Sequence, residues 1–311
     1  FNNEENSFFG VKASNYRTLK ESYENKYENI LPEIIFDKNI FSENLGYGNF
    51  QTNFKVHNYD TNKYKNFLIN DFEWSFNNFS NDNYDGKFLT KFKNVNYEVK
   101  NEDEFKSDTT NELFGALGYL ASIDLYKREN KYTQHLLKPK VLFRYSPNHM
   151  RKDKGNYNLS GKDIFSLNRL DSKENFESGT NISVGFDYEK DSLDNNLKFS
   201  IGQIINEQKN NKNMSDSSSL DNRFSDVVGN FNFNNKNFNL NYNYALDQNF
   251  ENLNYNDIET SYKLNNVSFK LNYFEENKTV SEKEYLKTGI EITSGENNLF
   301  SFTNKRNLVT N

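Results

Sequence analysis

Three histidines (His57, His135 and His149) and no cysteine are available in 311 residues to hold a metal or to activate a nucleophile. A metal centre or a Ser/His pair needs such groups brought together. These three fall on separate segments at spacings that bring none together, and they read as inward-facing or loop histidines. Asp257 and Glu259 stand two apart. In an extended chain both carboxylates then share a face, as an acid/base pair would. Many residues of a wet interior share a face in the same way, so the pair reads as solvated. The glycines are scattered and form no phosphate cradle. Met150–Lys154 (MRKDK) is a basic run suited to anionic sugar-phosphate groups or simply to solvent. No catalytic residue, no metal and no cofactor is expected.

The segments that carry these residues alternate. In 177–191 (ESGTNISVGFDYEKD), Ser178, Thr180, Ile182, Val184, Phe186 and Tyr188 lie on one face of an extended chain. Glu177, Gly179, Asn181, Ser183, Gly185 and Asp187 lie on the other. The same period of two runs through Leu113–Leu125, Leu137–Tyr145, Leu197–Ile205, Val227–Phe233, Phe238–Leu246, Ile258–Leu264, Val267–Tyr273 and Leu286–Ile292. None of these alternate positions is charged, although 26% of the chain is. Phe50–Val56 and Phe72–Phe76 follow the pattern, and Gly10–Leu19 and Pro32–Phe41 follow it more weakly. Residues 86–100 switch parity near Asn94, which predicts a β-bulge there. Pro139 interrupts a strong strand and cannot donate to a ladder, so a local distortion is expected around it.

Mean hydropathy is −0.97 and only 34% of residues are apolar, yet 29 are Phe and 20 Tyr. Disorder accounts for the polarity but not for the aromatics. A closed barrel in a bilayer accounts for both, because one face of each strand meets lipid while the other stays wet. The fold expected is all-β: a large antiparallel transmembrane β-barrel, of which about 15 strands are present, each near the ~10 residues needed to cross. Connections alternate in length. Asp191–Asn195, Asn234–Asn237, Asn265–Asn266 and Gly295–Asn297 are short; 101–111, 147–175, 210–222, 247–253 and 275–284 are long. Segment 147–175 is expected to be the largest external loop. Ile182, Val184, Phe186, Leu240 and Tyr242 are expected to face lipid. Lys138, Lys140 and Arg144, and Asn239, Asn241 and Asn243, are expected to face the lumen. On this reading Arg is tolerated at Ser183 or Asn241 but not at Val184 or Leu240. The inward set of 114–124 (Phe114, Ala116, Gly118, Leu120) is apolar, so something other than water is expected against it.

A net charge of −6 and the lack of any long Lys/Arg block argue against nucleic acid as a partner. No run approaches 18 apolar residues. Residue 1 is Phe, and the chain reads as an internal piece of a longer protein. At this level an uptake receptor or porin, a soluble β-sandwich adhesin and an outer-membrane enzyme all remain alternatives.

Four elements in order resemble the LptD family of outer-membrane lipopolysaccharide-assembly proteins. They are LLKPKVLFRYSP (136–147, with Pro139, Arg144, Tyr145 and Pro147), DIFSLNRLDSKENFESGTNISVGFDYE (163–189, with Asn168 and Arg169), FSIGQII (199–205, with Gly202 and Gln203) and RFSDVVGNF (223–231, with Ser225 and Asp226). Glu174 and Asn175 stand where the family usually shows Asp-Arg, so no fixed ion pair is carried over there. The resemblance implies a barrel of roughly 26 strands, with the N-terminal jelly-roll and the terminal barrel strands lying outside this piece. It also implies a Gram-negative outer-membrane location, a plug lipoprotein, LptE, in the lumen, and lipopolysaccharide delivered by a periplasmic bridge through the jelly-roll. The lipopolysaccharide would then be released into the outer leaflet. No covalent chemistry is implied.

Overall fold

The structure, a computed structural model, describes residues 2–4, 6–20, 22, 24–81, 83–147, 149–278, 283–295 and 298–309. Seventeen strands form one sheet. They are β1 (Asn2–Glu4), β2 (Ser7–Arg17), β3 (Tyr27–Ser42), β4 (Gly46–Tyr59), β5 (Tyr64–Ser80), β6 (Tyr84–Lys100), β7 (Thr110–Ile123), β8 (Leu125–Asn130) and β9 (Thr133–Ser146), then β10 (Gly179–Asp191), β11 (Asn195–Asn206), β12 (Val227–Asn235), β13 (Phe238–Leu246), β14 (Leu253–Leu264), β15 (Val267–Glu276), β16 (Lys283–Ser294) and β17 (Asn298–Asn307). Each pairs antiparallel with its neighbour in sequence. β7 and β8 form one leg, broken at Asp124, and both pair with β9. With that leg taken as one and the three-residue β1 set aside, fifteen strands remain, the number expected. Among the described residues no register joins β17 to β1 or β2, so the sheet is not closed.

The registers turn separate alternations into continuous rows. Tyr188, Phe199, Phe231, Tyr242, Ile258, Tyr273 and Leu286 stand directly opposite one another in turn across β10 to β16. Directly opposed residues share a face, so one face of the sheet is an apolar belt. Ile182, Val184, Phe186, Leu240 and Tyr242 are part of it. Ile182 is 42% and Phe186 36% exposed, while Asn181 and Ser183 on the opposite face are 2% and 0% exposed. The polar face is therefore the covered one.

The turns follow the same logic. Links at one end are short (43–45, 81–83, 131–132, 192–194, 236–237, 265–266) and those at the other are longer (101–109, 147–178, 207–226). Asn265 takes φ 51° in its two-residue turn, a left-handed geometry that Asn tolerates. Among the described residues the sole helix is the 3-10 turn Asp216–Ser218.

Two expectations about β6 and β9 resolve differently. β6 keeps its register through Asn94 on both sides, with no bulge. The apolar residues change face instead. Val95, Tyr97 and Val99 point to the covered face, where they pack with Phe67, Ile69 and Phe114, and with Phe105 from the following loop. Pro139 stays in register with Phe186 of β10 but has no partner on its other side, where Lys140 pairs with Ser122 and Leu137 with Leu125. The missing N–H thus coincides with the break at Asp124.

The long segment 147–178 lies back on the inner face of the sheet. Leu167 and Phe176 join Phe114 and Ala116 in one apolar cluster, which explains the apolar inward set of β7. A second cluster joins Met150, Leu159, Ile164 and Leu170 of this segment to Met214 and Leu220 of 207–226, over Ile204, Val228 and Ala245 of the sheet. Leu→Ala changes in such sites cost ~2–5 kcal/mol.

Candidate functional site

The inward-folded segment is held by shape and by charge. Gly118 and Gly202 lie on the inner face at points of close approach. A Cβ on Gly118 would lie 2.6 Å from Leu167 Cδ2, and one on Gly202 would lie 3.0 Å from Ile164 Cδ1. The two glycines leave the slots that Leu167 and Ile164 fill, one on β7 and one on β11.

Between the slots sits a buried ionic cluster. Arg144, on β9, is fully buried and donates from Nε to Leu167 O (2.7 Å), from Nη1 to Gly179 O (3.1 Å) and from Nη2 to Glu177 O. Arg169 donates from Nε to Glu177 Oε2 (2.7 Å), from Nη2 to Glu177 Oε1 and from Nη1 to Ser183 Oγ (3.4 Å). Arg144 Nη1 lies 3.6 Å from Glu177 Oε1. Asn168 Oδ1 accepts from Glu177 N (2.9 Å), and Ser183 Oγ donates to Ile164 O (2.8 Å). One strand arginine therefore ties both limbs of the segment to the sheet. Burial alone would raise the Glu177 carboxyl; the charges of Arg144 and Arg169, with hydrogen bonds from Arg169, overcome it and hold the group below the usual carboxylate range.

Nearer the start of the segment, Arg151 is ion-paired to Glu112 of β7, and its guanidinium stacks over Phe105 (4.8 Å) and Tyr97 (5.4 Å). The basic run Met150–Lys154 is thus not a free cationic loop. Met150 is buried, and Lys154 pairs with Glu104 (2.9 Å). Asn175 is buried and joins the limbs, accepting from Arg151 N (3.2 Å) and donating to Arg151 O (3.0 Å).

Segment 207–226 has its own lock. Ser225 Oγ accepts from Ile204 N (3.0 Å), and Gln203 Nε2 donates to Ser225 O (2.9 Å). Asp226 accepts from Asn254 Nδ2 (2.7 Å), Ser219 Oγ accepts from Asp226 N (2.9 Å), and Lys278 Nζ lies 3.1 Å from Asp226 Oδ1. The segments meet through Ser215 Oγ, which donates to Gly155 O (2.7 Å), and through Asn210 Nδ2, 3.4 Å from Met150 Sδ.

The structure thus gathers Arg144, Asn168, Arg169 and Gly202 into one cluster, and Gln203, Ser225 and Asp226 into a neighbouring one. Tyr145 is on the apolar face opposite Thr180 and Leu117, and Pro147 follows β9 in an exposed position. Tolerance of Arg at Ser183 does not stand: Ser183 is fully buried under Ile164 and Arg169. The sequence reading gave Glu177 no partner, although a charge just ahead of the small, neutral inward run Gly179, Asn181, Ser183 and Gly185 was a signal. His57 meets Glu28 (3.2 Å), His135 meets Tyr188 Oη (2.8 Å), and His149 lies 4.0 Å from Glu112. Among the described residues no group of three or more His, Asp or Glu could hold a metal.

What this arrangement can do is occlude. A polar-faced sheet with an apolar outer belt carries a segment fixed against its inner wall. A family profile described as LPS transport system D, LptD, matches residues 2–301. No curated protein sequence matches the chain.

Proposed function

The chain belongs to the LptD family, an outer-membrane component of lipopolysaccharide transport and assembly and not an enzyme family, and on that premise we propose that its sheet is wall of a translocon that places lipopolysaccharide in the outer leaflet of a Gram-negative cell. The apolar belt, with Ile182, Val184, Phe186, Leu240 and Tyr242 in it, faces acyl chains, and the polar face lines the passage for the charged, sugar-bearing head. A soluble protein does not leave an apolar face of this extent open to water. Lipid on that face and paired backbone within the sheet satisfy both demands of a bilayer. The uninterrupted row from Tyr188 to Leu286 is the observation that carries the reading.

Transport lowers the cost of taking a charged head past hydrocarbon, which in lipid alone is prohibitive. The protein does so by offering a hydrated wall on one side of the sheet and lipid on the other. A plug lipoprotein, LptE, and a periplasmic bridge protein are the partners that this role calls for. The bound segment 147–178 narrows the passage from within. Depletion of the full-length protein in cells, followed by measurement of lipopolysaccharide at the surface, tests the reading. Surface lipopolysaccharide is expected to fall while total synthesis continues; unchanged surface levels would refute it.

A further inference from the structure

The inner face is not chemically uniform. On β12 and β13 three consecutive opposed pairs are Asn230–Asn243, Asn232–Asn241 and Asn234–Asn239. Six inward positions carry one residue type and no charge. The inward positions of β6 and β9 carry Lys87, Lys91, Lys93, Lys138, Lys140 and Arg144 instead. A chain rich in both Asn and Lys would place lysine in the six positions as readily, and it places none.

The amides first bond one another. Asn230 Nδ2 donates to Asn243 Oδ1 (2.7 Å) and Asn241 Oδ1 (2.9 Å), and Asn234 Nδ2 donates to Asn232 Oδ1 (2.9 Å). Among the described residues this leaves Asn230 Oδ1 and the Nδ2 groups of Asn241 and Asn243 without a protein partner. At the end of the ladder nearer the long links, a cavity of about 730 Å³ opens between 156–165 and the sheet. Asn230 and Asn243 line it, as do Asn158 and the aromatic Tyr157, Phe165 and Tyr255. Asn158 donates to Glu276 (2.7 Å), and its buried Oδ1 has no partner. Of the ionic groups lining the cavity, Lys140 pairs with Asp187, and Glu276 with Lys283 (3.0 Å). Lys162 adds an ammonium on the exposed side.

Free amide donors beside free amide acceptors match vicinal hydroxyls, each both donor and acceptor. Aromatic walls suit the apolar face of a sugar ring. A phosphate would instead seek unpaired arginines or lysines; of the two lysines lining the cavity, Lys140 is held by Asp187 and Lys162 stands at the exposed side. We propose that the cavity and the asparagine ladder form a saccharide-binding track for the neutral, hydroxyl-rich sugar units of the translocated molecule, and not for its phosphates. The inference rests on the transport reading above.

The test uses the full-length protein in cells, with a photo-crosslinking residue at Asn241 in the ladder or at Asn53 on the inner face of β4. Each is assayed in cells making lipopolysaccharide with its full sugar chain and in cells making only the phosphorylated lipid anchor. Adducts are expected at both positions with the full chain. With the anchor alone, the Asn241 adduct is expected to fall at least tenfold while the Asn53 adduct persists. Equal Asn241 adducts with both lipids overturn the inference, as does an Asn53 adduct with none at Asn241; in either case the transport reading stands. Absence of adducts at both positions overturns the transport reading and this inference with it. A heat-modifiable gel shift of each variant confirms that the barrel is folded.

Discussion

Replacing Glu177 is expected to release segment 147–178 from the wall while the sheet stays intact. Glu177 is 1% exposed and sits between two arginines whose side chains are fully buried. It accepts from Arg169 Nε, Nη2 and N, and lies 3.4 Å from Asn181 Nδ2. Removal of its charge leaves both guanidinium groups buried without a counter-ion. Breaking a buried pair in this way costs ~3–5 kcal/mol. Glu177→Gln keeps the shape and part of the hydrogen bonding and belongs at the lower end; Glu177→Ala belongs at the upper. A loss of about 3 kcal/mol is roughly a hundredfold change in the docking equilibrium. Amide hydrogen exchange on the full-length protein in detergent micelles reads this directly. Peptides covering 156–178 are expected to exchange about 10²-fold faster, or at the unprotected rate, while β9 and β10 keep their protection. Replacing Arg144, Arg169 and Glu177 together with Met is expected to restore slow exchange, because an apolar triad of similar volume has no charge to strand. Exchange in Glu177→Gln within about threefold of wild type would refute the buried-cluster account.

Gly118→Ala is expected to displace Leu167 at a cost of ~1–3 kcal/mol, because the added Cβ meets Leu167 Cδ2 at 2.6 Å and Leu142 Cδ1 at 3.1 Å; the same exchange experiment checks it. Arg at Val184 is expected to destabilise the folded barrel by ~2–4 kcal/mol if it lies near the bilayer midplane, and Arg at Asn241 by far less, as measured by urea titration in lipid vesicles; equal losses would reverse the assignment of faces. The carboxyl of Glu177 is held below its ordinary value of 4.5, so its share of the docking free energy is fully present above that value and is lost as pH falls through the lowered one. Protection of 156–178 is therefore expected to hold from pH 7 to 5 and to drop below pH 4.5; loss already near pH 6 would point to another group.

The strands were legible because a half-buried strand repeats every two residues, and Ile182/Val184/Phe186 or Leu240/Tyr242/Tyr244 state that period in three positions. The alternation of long and short links was legible for the same reason, since it only requires finding where periodicity stops. The docking of 147–178 was not. Its contacts join Ile164 to Gly202 and Leu167 to Gly118, residues far apart in sequence, and the segment has no period of its own. Three signs of it were present, the first two being an apolar inward set at Phe114, Ala116 and Leu120, and glycines at inward positions where a barrel wall has no need of them. The apparent change of parity at Asn94 was a third, read as a kink in the backbone although it recorded a change in what covers the wall.

The clustering of sulfur has a practical consequence. The chain has two methionines, and both, Met150 and Met214, lie in the apolar cluster where the two inward segments meet the sheet. Within this chain, carbon-13 labelling of methionine methyl groups would give two resonances, both originating at that junction. Each would act as a spectroscopic beacon on the packing of the two segments against the sheet, without interference from the strands.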